Sequence, residues 1–123
     1  MNLKPILFAA TAKPDASRKF YQESLGLRFI SDQPFAIVFD VNGVGLRVQK
    51  VEQVAAVPYT SLGFAGEDLP QAVSELSAKG VVFEKYPFLE QDDQGIWSTA
   101  DGAKVAWCKD PDGNTVSFSQ NPK

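Results

Sequence analysis

A short pattern occurs twice in this chain, and the repeat constrains the fold more than any other feature. Ser24-Leu25-Gly26-Leu27-Arg28-Phe29 closes a helix-like stretch and opens a strand-like one, and Ala78-Lys79-Gly80-Val81-Val82-Phe83 does the same 54 positions later. Asp40-Val41-Asn42-Gly43 separates two strand-like runs, and Asp110-Pro111-Asp112-Gly113 does so again 70 positions later. The offset grows by 16, which predicts an insertion of about that size in the second copy. A duplicated unit that cannot bury its own apolar face has to pair with its copy. The space between two such copies is a natural place for a ligand.

Each copy reads β-α-β-β-β. In the first, residues 4–11 read as a strand, and Ala16 to Leu25 as a helix entered through Pro14, with Gly26 placed to cap it in a left-handed conformation. Strands follow over 27–30, 35–40 and 44–50, the last two joined by Asn42-Gly43, a strong hairpin signal. Residues 51–57 form a linker. The second copy predicts a strand over 59–65, a helix from Glu67 to Lys79, a strand over 81–84, the insertion at 85–100, and a final hairpin of 103–109 with 115–119. Hairpin-joined strands with few helices place the chain in the α+β class. We therefore expect one domain over 1–123, with module one at about 1–52 and module two at about 57–123.

Composition removes several function classes. The chain has no histidine, so Ser-His-Asp and Cys-His chemistry and a Cys/His zinc site are excluded within one chain. The single cysteine, Cys108, forbids an internal disulfide, fits a reducing cytoplasm, and reads as a small buried apolar group. Net charge is −3 with no basic cluster, which argues against nucleic acid. No apolar run approaches the ~18 residues of a membrane span. Met1-Asn2-Leu3-Lys4-Pro5 does not open an export signal. The expected setting is cytoplasmic.

The run Phe20-Tyr21-Gln22-Glu23-Ser24-Leu25-Gly26-Leu27, the entry Phe64 to Leu69 with its helix ending at Lys79-Gly80, and the turn Asp110-Pro111-Asp112-Gly113-Asn114 together resemble the vicinal oxygen chelate superfamily, the glyoxalase/bleomycin resistance/dioxygenase fold. The resemblance spans essentially the whole chain. It implies two βαβββ modules forming a cupped, incomplete β-barrel, a homodimer, and a ligand inside the cup. Metal-dependent members carry ligands at four strand positions, which here match approximately Ile6, Arg47, Ser61 and Ser117. An alkyl group, a guanidinium and two hydroxyls cannot anchor a divalent ion, so neither a metal, another cofactor nor a catalytic residue is expected.

Alternation gives an independent reading of the same face. Leu46-Arg47-Val48-Gln49 and Val116-Ser117-Phe118-Ser119 alternate in the same phase, so Arg47 and Gln49, and Ser117 and Ser119, fall on equivalent polar faces. Arg47, Gln49, Ser61, Trp97, Ser117 and Ser119 are thus the candidate ligand-binding residues. Trp97 suits either a stacking wall or a plug at the end of the sheet. Trp107, placed opposite Val116 by a four-residue turn, is expected in the core, as are Phe8, Phe35 and Phe39. Glu90, Asp92 and Asp93 read as a solvated loop, and Asp110, Asp112 and Asn114 as turn residues with local backbone roles.

The resulting expectation is a metal-free small-molecule binding protein that sequesters a toxic compound or antibiotic. The alternatives are a metal-dependent lyase, isomerase or dioxygenase of the superfamily with unusual ligands, and a non-catalytic interaction module.

Overall fold

The computed structural model describes residues 1–122. They form two four-stranded mixed sheets with few helices, and neither sheet closes into a barrel. The chain divides into two compact units: Met1–Ala56 together with Asp110–Asn114, and Val57–Lys109 together with the residues from Thr115 on.

The first unit holds β1 (Ile6–Thr11), α1 (Pro14–Lys19), β2 (Arg28–Asp32), β3 (Ala36–Val41) and β4 (Val44–Lys50), in the sheet order β1-β4-β3-β2. β1 runs parallel to β4, and the other pairs are antiparallel. Pro14 opens α1, whose last turns widen into a π-type segment over Phe20–Ser24 before Gly26 takes a φ of 72°. Asn42 and Gly43 both have positive φ, 50° and 89°, the type I′ geometry that matches strand twist, and Val41 pairs with Val44 across them. Ile37, Phe39, Leu46 and Val48 are fully buried on one face of this sheet. Tyr21 packs there, 6.0 Å from the Phe39 ring.

The turn at 110–114 is built into this first unit by a buried polar network. The Asp110 carboxylate is only 5% exposed and accepts four hydrogen bonds. Tyr21 Oη and Asn114 Nδ2 donate to Oδ2 at 2.7 and 2.8 Å; the backbone N–H groups of Asp112 and Asn114 donate to Oδ1 at 2.9 Å each. Asn114 Nδ2 also reaches Ala10 O at 2.9 Å. Asp112 accepts from Thr11 Oγ1 at 2.6 Å and from Ala12 N at 2.8 Å, and Ser17 Oγ donates to Thr11 Oγ1 at 2.7 Å. These turn residues therefore do more than shape their own backbone. They satisfy Tyr21, Thr11 and Ser17, all fully buried. Burying such groups without partners is costly. A fragment of residues 1–56 should accordingly give no cooperative thermal transition by circular dichroism; a sharp melt of that fragment would contradict the assignment.

The second unit holds β5 (Thr60–Ala65), α2 (Leu69–Ala78), β6 (Trp97–Ser98), β7 (Lys104–Lys109) and β8 (Thr115–Gln120), ordered β5-β8-β7-β6. Asp68 caps α2 by accepting from Gln71 N at 3.1 Å, and Leu69 and Val73 bury one face of the helix. Leu62, Ala106, Cys108, Val116 and Phe118 are buried in this unit. Phe118 stacks on Phe64 at 5.6 Å and meets Phe83 edge-on at 5.9 Å.

Three expectations are corrected. The strand expected over 81–84 reduces to a bridge between Phe83 and Cys108 plus the bond Glu84 N to Trp107 O, because Val81 N is taken by Leu76 O at the end of α2 and does not enter a ladder. The fourth strand is instead β6, from inside the insertion. Phe8 and Phe35 are not core residues, being 51% and 82% exposed; Phe39 is fully buried. Trp107 pairs with Ser117, not Val116, because the turn from Asp110 to Asn114 holds five residues. A one-residue shift moves a side chain to the other face of a strand.

Candidate ligand-binding site

The face of the second sheet opposite its buried layer is where the candidate residues of that unit gather. Ser117 lies between Trp107 on β7 and Gly63 on β5; Ser119 lies between Val105 and Ala65; Trp97 pairs with Val105. Partners in register share a face, so Trp97, Trp107, Ser117 and Ser119 stand on one side of the sheet. All four are half-buried. Ser61 is different. It sits at a bulge between Thr60 and Leu62, is exposed, and has no partner residue on β8.

The aromatic residues form a continuous wall. Trp97 and Trp107 lie 6.3 Å apart at 32°, Tyr86 meets Trp107 edge-on at 5.5 Å, and Phe88 stacks on Tyr86 at 5.5 Å. Such offset and edge-on contacts are the favoured arrangements of aromatic rings. The rings leave polar handles beside them. Among the described residues, the Ser117 and Ser119 hydroxyls have no protein hydrogen-bond partner. A Cβ added at Gly63 would lie 3.1 Å from Ser117 Oγ, so the glycine is what gives that hydroxyl its room. We expect Gly63→Ala to displace Ser117 and weaken ligand binding several-fold while costing about 1 kcal/mol or less in stability. Titration and denaturant melts of the variant check both effects.

The insertion builds a second boundary of this region. Gln91 is its hub: Oε1 accepts from Tyr86 N at 2.7 Å, and Nε2 donates to Glu84 O and Gly95 O at 2.8 Å each. Asp92 Oδ1 accepts from the backbone N–H groups of Gln94 and Ile96, at 2.9 Å each. Asp92 therefore closes the loop, a role the reading of a merely solvated acid run did not contain. The loop leaves a recess of about 500 Å³ bordered by Phe88, Glu90, Ile96 and Trp97. No signal in the sequence marked Gln91, because its partners are backbone groups fixed only by the folded loop.

Tyr86 is held above the ordinary phenol range, first by loss of hydration and then by the nearby Glu84 and Cys108. Its hydroxyl is thus a neutral hydrogen-bonding group at physiological pH. The proton is held more tightly in the folded chain than in the unfolded one. This group therefore costs no stability below pH about 10 and lowers stability as pH rises from there through the folded value. Chemical denaturation between pH 9 and 11 should show that decline, and Tyr86→Phe should flatten it.

In the first unit, Arg47 and Gln49 lie on β4 between β1 and β3, on the face opposite Leu46 and Val48. Arg47 donates from Nη2 to Gln33 Oε1 at 3.2 Å. Ile6 and Phe8 of β1 share that face. The four positions implied as metal ligands hold an alkyl chain, a guanidinium and two hydroxyls, a donor set that does not fit a divalent ion. Among the described residues, no group of three His, Cys, Asp or Glu could hold one. No helix among the described residues is long and apolar enough to cross a membrane.

Each unit is a four-stranded mixed sheet with one helical connection, a βαβββ arrangement occurring twice in the chain. The sequence model of the Glyoxalase/Bleomycin resistance protein/Dioxygenase superfamily matches residues 5–118, and the chain belongs to that superfamily. No curated protein matches. Among solved structures, the glyoxalase/bleomycin resistance protein from Catenulispora acidiphila DSM 44928 is similar with a TM-score of 0.77 and 21% identity, covering 98% of this chain and 100% of that one. Lactoylglutathione lyase from Agrobacterium tumefaciens is similar with a TM-score of 0.72 and 17% identity, covering 97% and 95%. The integron cassette protein VCH_CASS1 from V. cholerae has a TM-score of 0.66 at 20% identity, covering 98% and 97%. At these identities the likeness establishes the fold.

Proposed function

We propose that this protein binds a small organic molecule against its open sheet faces and sequesters it without metal chemistry. The observation that carries this reading is the wall of Trp97, Trp107, Tyr86 and Phe88 beside the Ser117 and Ser119 hydroxyls. Solvent-accessible aromatic rings beside a few unoccupied hydroxyls are what a pocket for an aromatic or conjugated ligand requires: apolar area for affinity and sparse polar groups for orientation. Arg47 and Gln49 belong to the same proposal as polar anchors on the first sheet, and Ser61 as a further donor at the β5 bulge.

A lyase reading, which the name of the Agrobacterium relative invites, would need ionisable groups or a metal at positions where this chain has Ile6, Arg47, Ser61 and Ser117. The chain has no histidine to activate either serine hydroxyl. The homodimer stays part of the proposal, and sedimentation velocity measures it.

The chain has only two tryptophans, and both stand on the proposed face. Intrinsic fluorescence therefore reports that face alone. Titration with a library of aromatic natural products and antibiotics should yield compounds that quench or shift the emission saturably. An emission unmoved by every compound would favour an interaction module that has lost its ligand.

A further inference from the structure

We propose that the open face of the first sheet is a subsite for the carboxylate of an apolar monocarboxylic acid, received by Arg47. This rests on the reading that the sheet faces take a small molecule, and it names the chemical class. Arg47 sits at the centre of the sheet, in register with Phe8 on one side and Val38 on the other. Phe8 is 51% exposed and Ile6, two residues before it on the same face, 49%. A half-buried guanidinium in mid-sheet, bordered by exposed hydrocarbon, is an uneven surface for water and a fitted one for an amphiphile.

Among the described residues, no carboxylate pairs with the Arg47 charge. Among the described residues the ion pairs are Arg18 and Lys50 with Asp32, and Arg47 has none. Its hydrogen-bond partner among the described residues is the neutral Gln33, which takes a single N–H at Nη2 and so steadies the group. The remaining N–H groups form a planar fork suited to the two oxygens of a carboxylate. A phosphate dianion fits less well. No second cation is in register with Arg47, and Arg28, which shares this face on β2, stands opposite the Asp40 carboxylate. The hydrocarbon of the acid would lie over Phe8 and Ile6, where its burial adds to the polar contact.

The test uses the full-length protein and three matched probes: 4-phenylbutyrate, 4-phenylbutyramide and 4-phenylbutyl phosphate. Affinity is measured by calorimetry and the site by side-chain NMR shifts. The expected result is that the carboxylate shifts Arg47 Nε–H and the Phe8 ring, and binds about tenfold or more tightly than the amide and more tightly than the phosphate. Arg47→Met should abolish that preference, and Arg47→Lys should keep part of it. Melts of both variants establish that they fold. Equal binding of acid and amide, a phosphate that binds best, or a preference that survives Arg47→Met would overturn the subsite. If library compounds still perturb Trp97 and Trp107 in that case, the subsite fails and the general binding reading stands. If no compound perturbs either sheet, both fail.

Discussion

Asp110→Ala is expected to destabilise the protein by roughly 3 kcal/mol or more, the largest single effect outside the apolar core. The substitution removes both acceptor oxygens at once. Tyr21 Oη, Asn114 Nδ2 and the N–H groups of Asp112 and Asn114 lose their partner together, in a place with almost no access to water. A buried donor left unsatisfied forfeits its full hydration, which is a larger loss than the net value of an ordinary hydrogen bond. For a domain of this size the midpoint of thermal unfolding should fall by about 10 °C. Tyr21→Phe removes one donor and keeps the ring against Phe39, so it should cost less, about 1–2 kcal/mol. Urea melts of the two variants settle the order. An Asp110→Ala protein as stable as the parent would mean that the turn is ornamental to the first unit.

Truncating the aromatic wall should have the largest effect on binding. Trp107 is its centre, touching Trp97 on one side and Tyr86 on the other. Trp107→Ala removes the centre of the proposed ligand surface and also frees both neighbours to move, so affinity for any compound found by fluorescence should drop about tenfold or more. Trp97→Ala removes only one end of the wall and should cost less. Trp107→Phe keeps an aromatic face of smaller area and should fall between. Calorimetry is the suitable readout, because the substitutions remove the fluorophores themselves. Variants with unchanged affinity would move the ligand off this face.

The sequence disclosed local features best. Gly26, and Asn42 with Gly43, adopt the left-handed conformations their positions suggest, because a turn of that kind is decided by two or three neighbouring residues. The alternation of Arg47 and Gln49 with Leu46 and Val48 was equally readable, since burial on one face leaves a period of two. Trp107 was misplaced for a reason that spacing could not resolve. Whether the turn holds four residues or five depends on Asp110 pairing with Asn114, backbone to backbone and side chain to backbone. That pairing is held in turn by Tyr21, 89 positions away in the chain. The internal structure of the insertion was illegible for the same cause. Trp97 and Ser98 become a strand because β7 has a free edge beyond Phe83 and Glu84, and Gln91 folds the loop through backbone groups that carry no sequence signature.

We propose capture of a small molecule without its conversion. Its most direct measurement is mass spectrometry of a bound compound after long incubation with equimolar protein, with and without added Zn²⁺, Mn²⁺, Ni²⁺ and Fe²⁺. The account predicts that the compound is recovered whole, in one-to-one stoichiometry, and that no metal changes the outcome. Recovery of a converted product in the presence of any of these ions would contradict it.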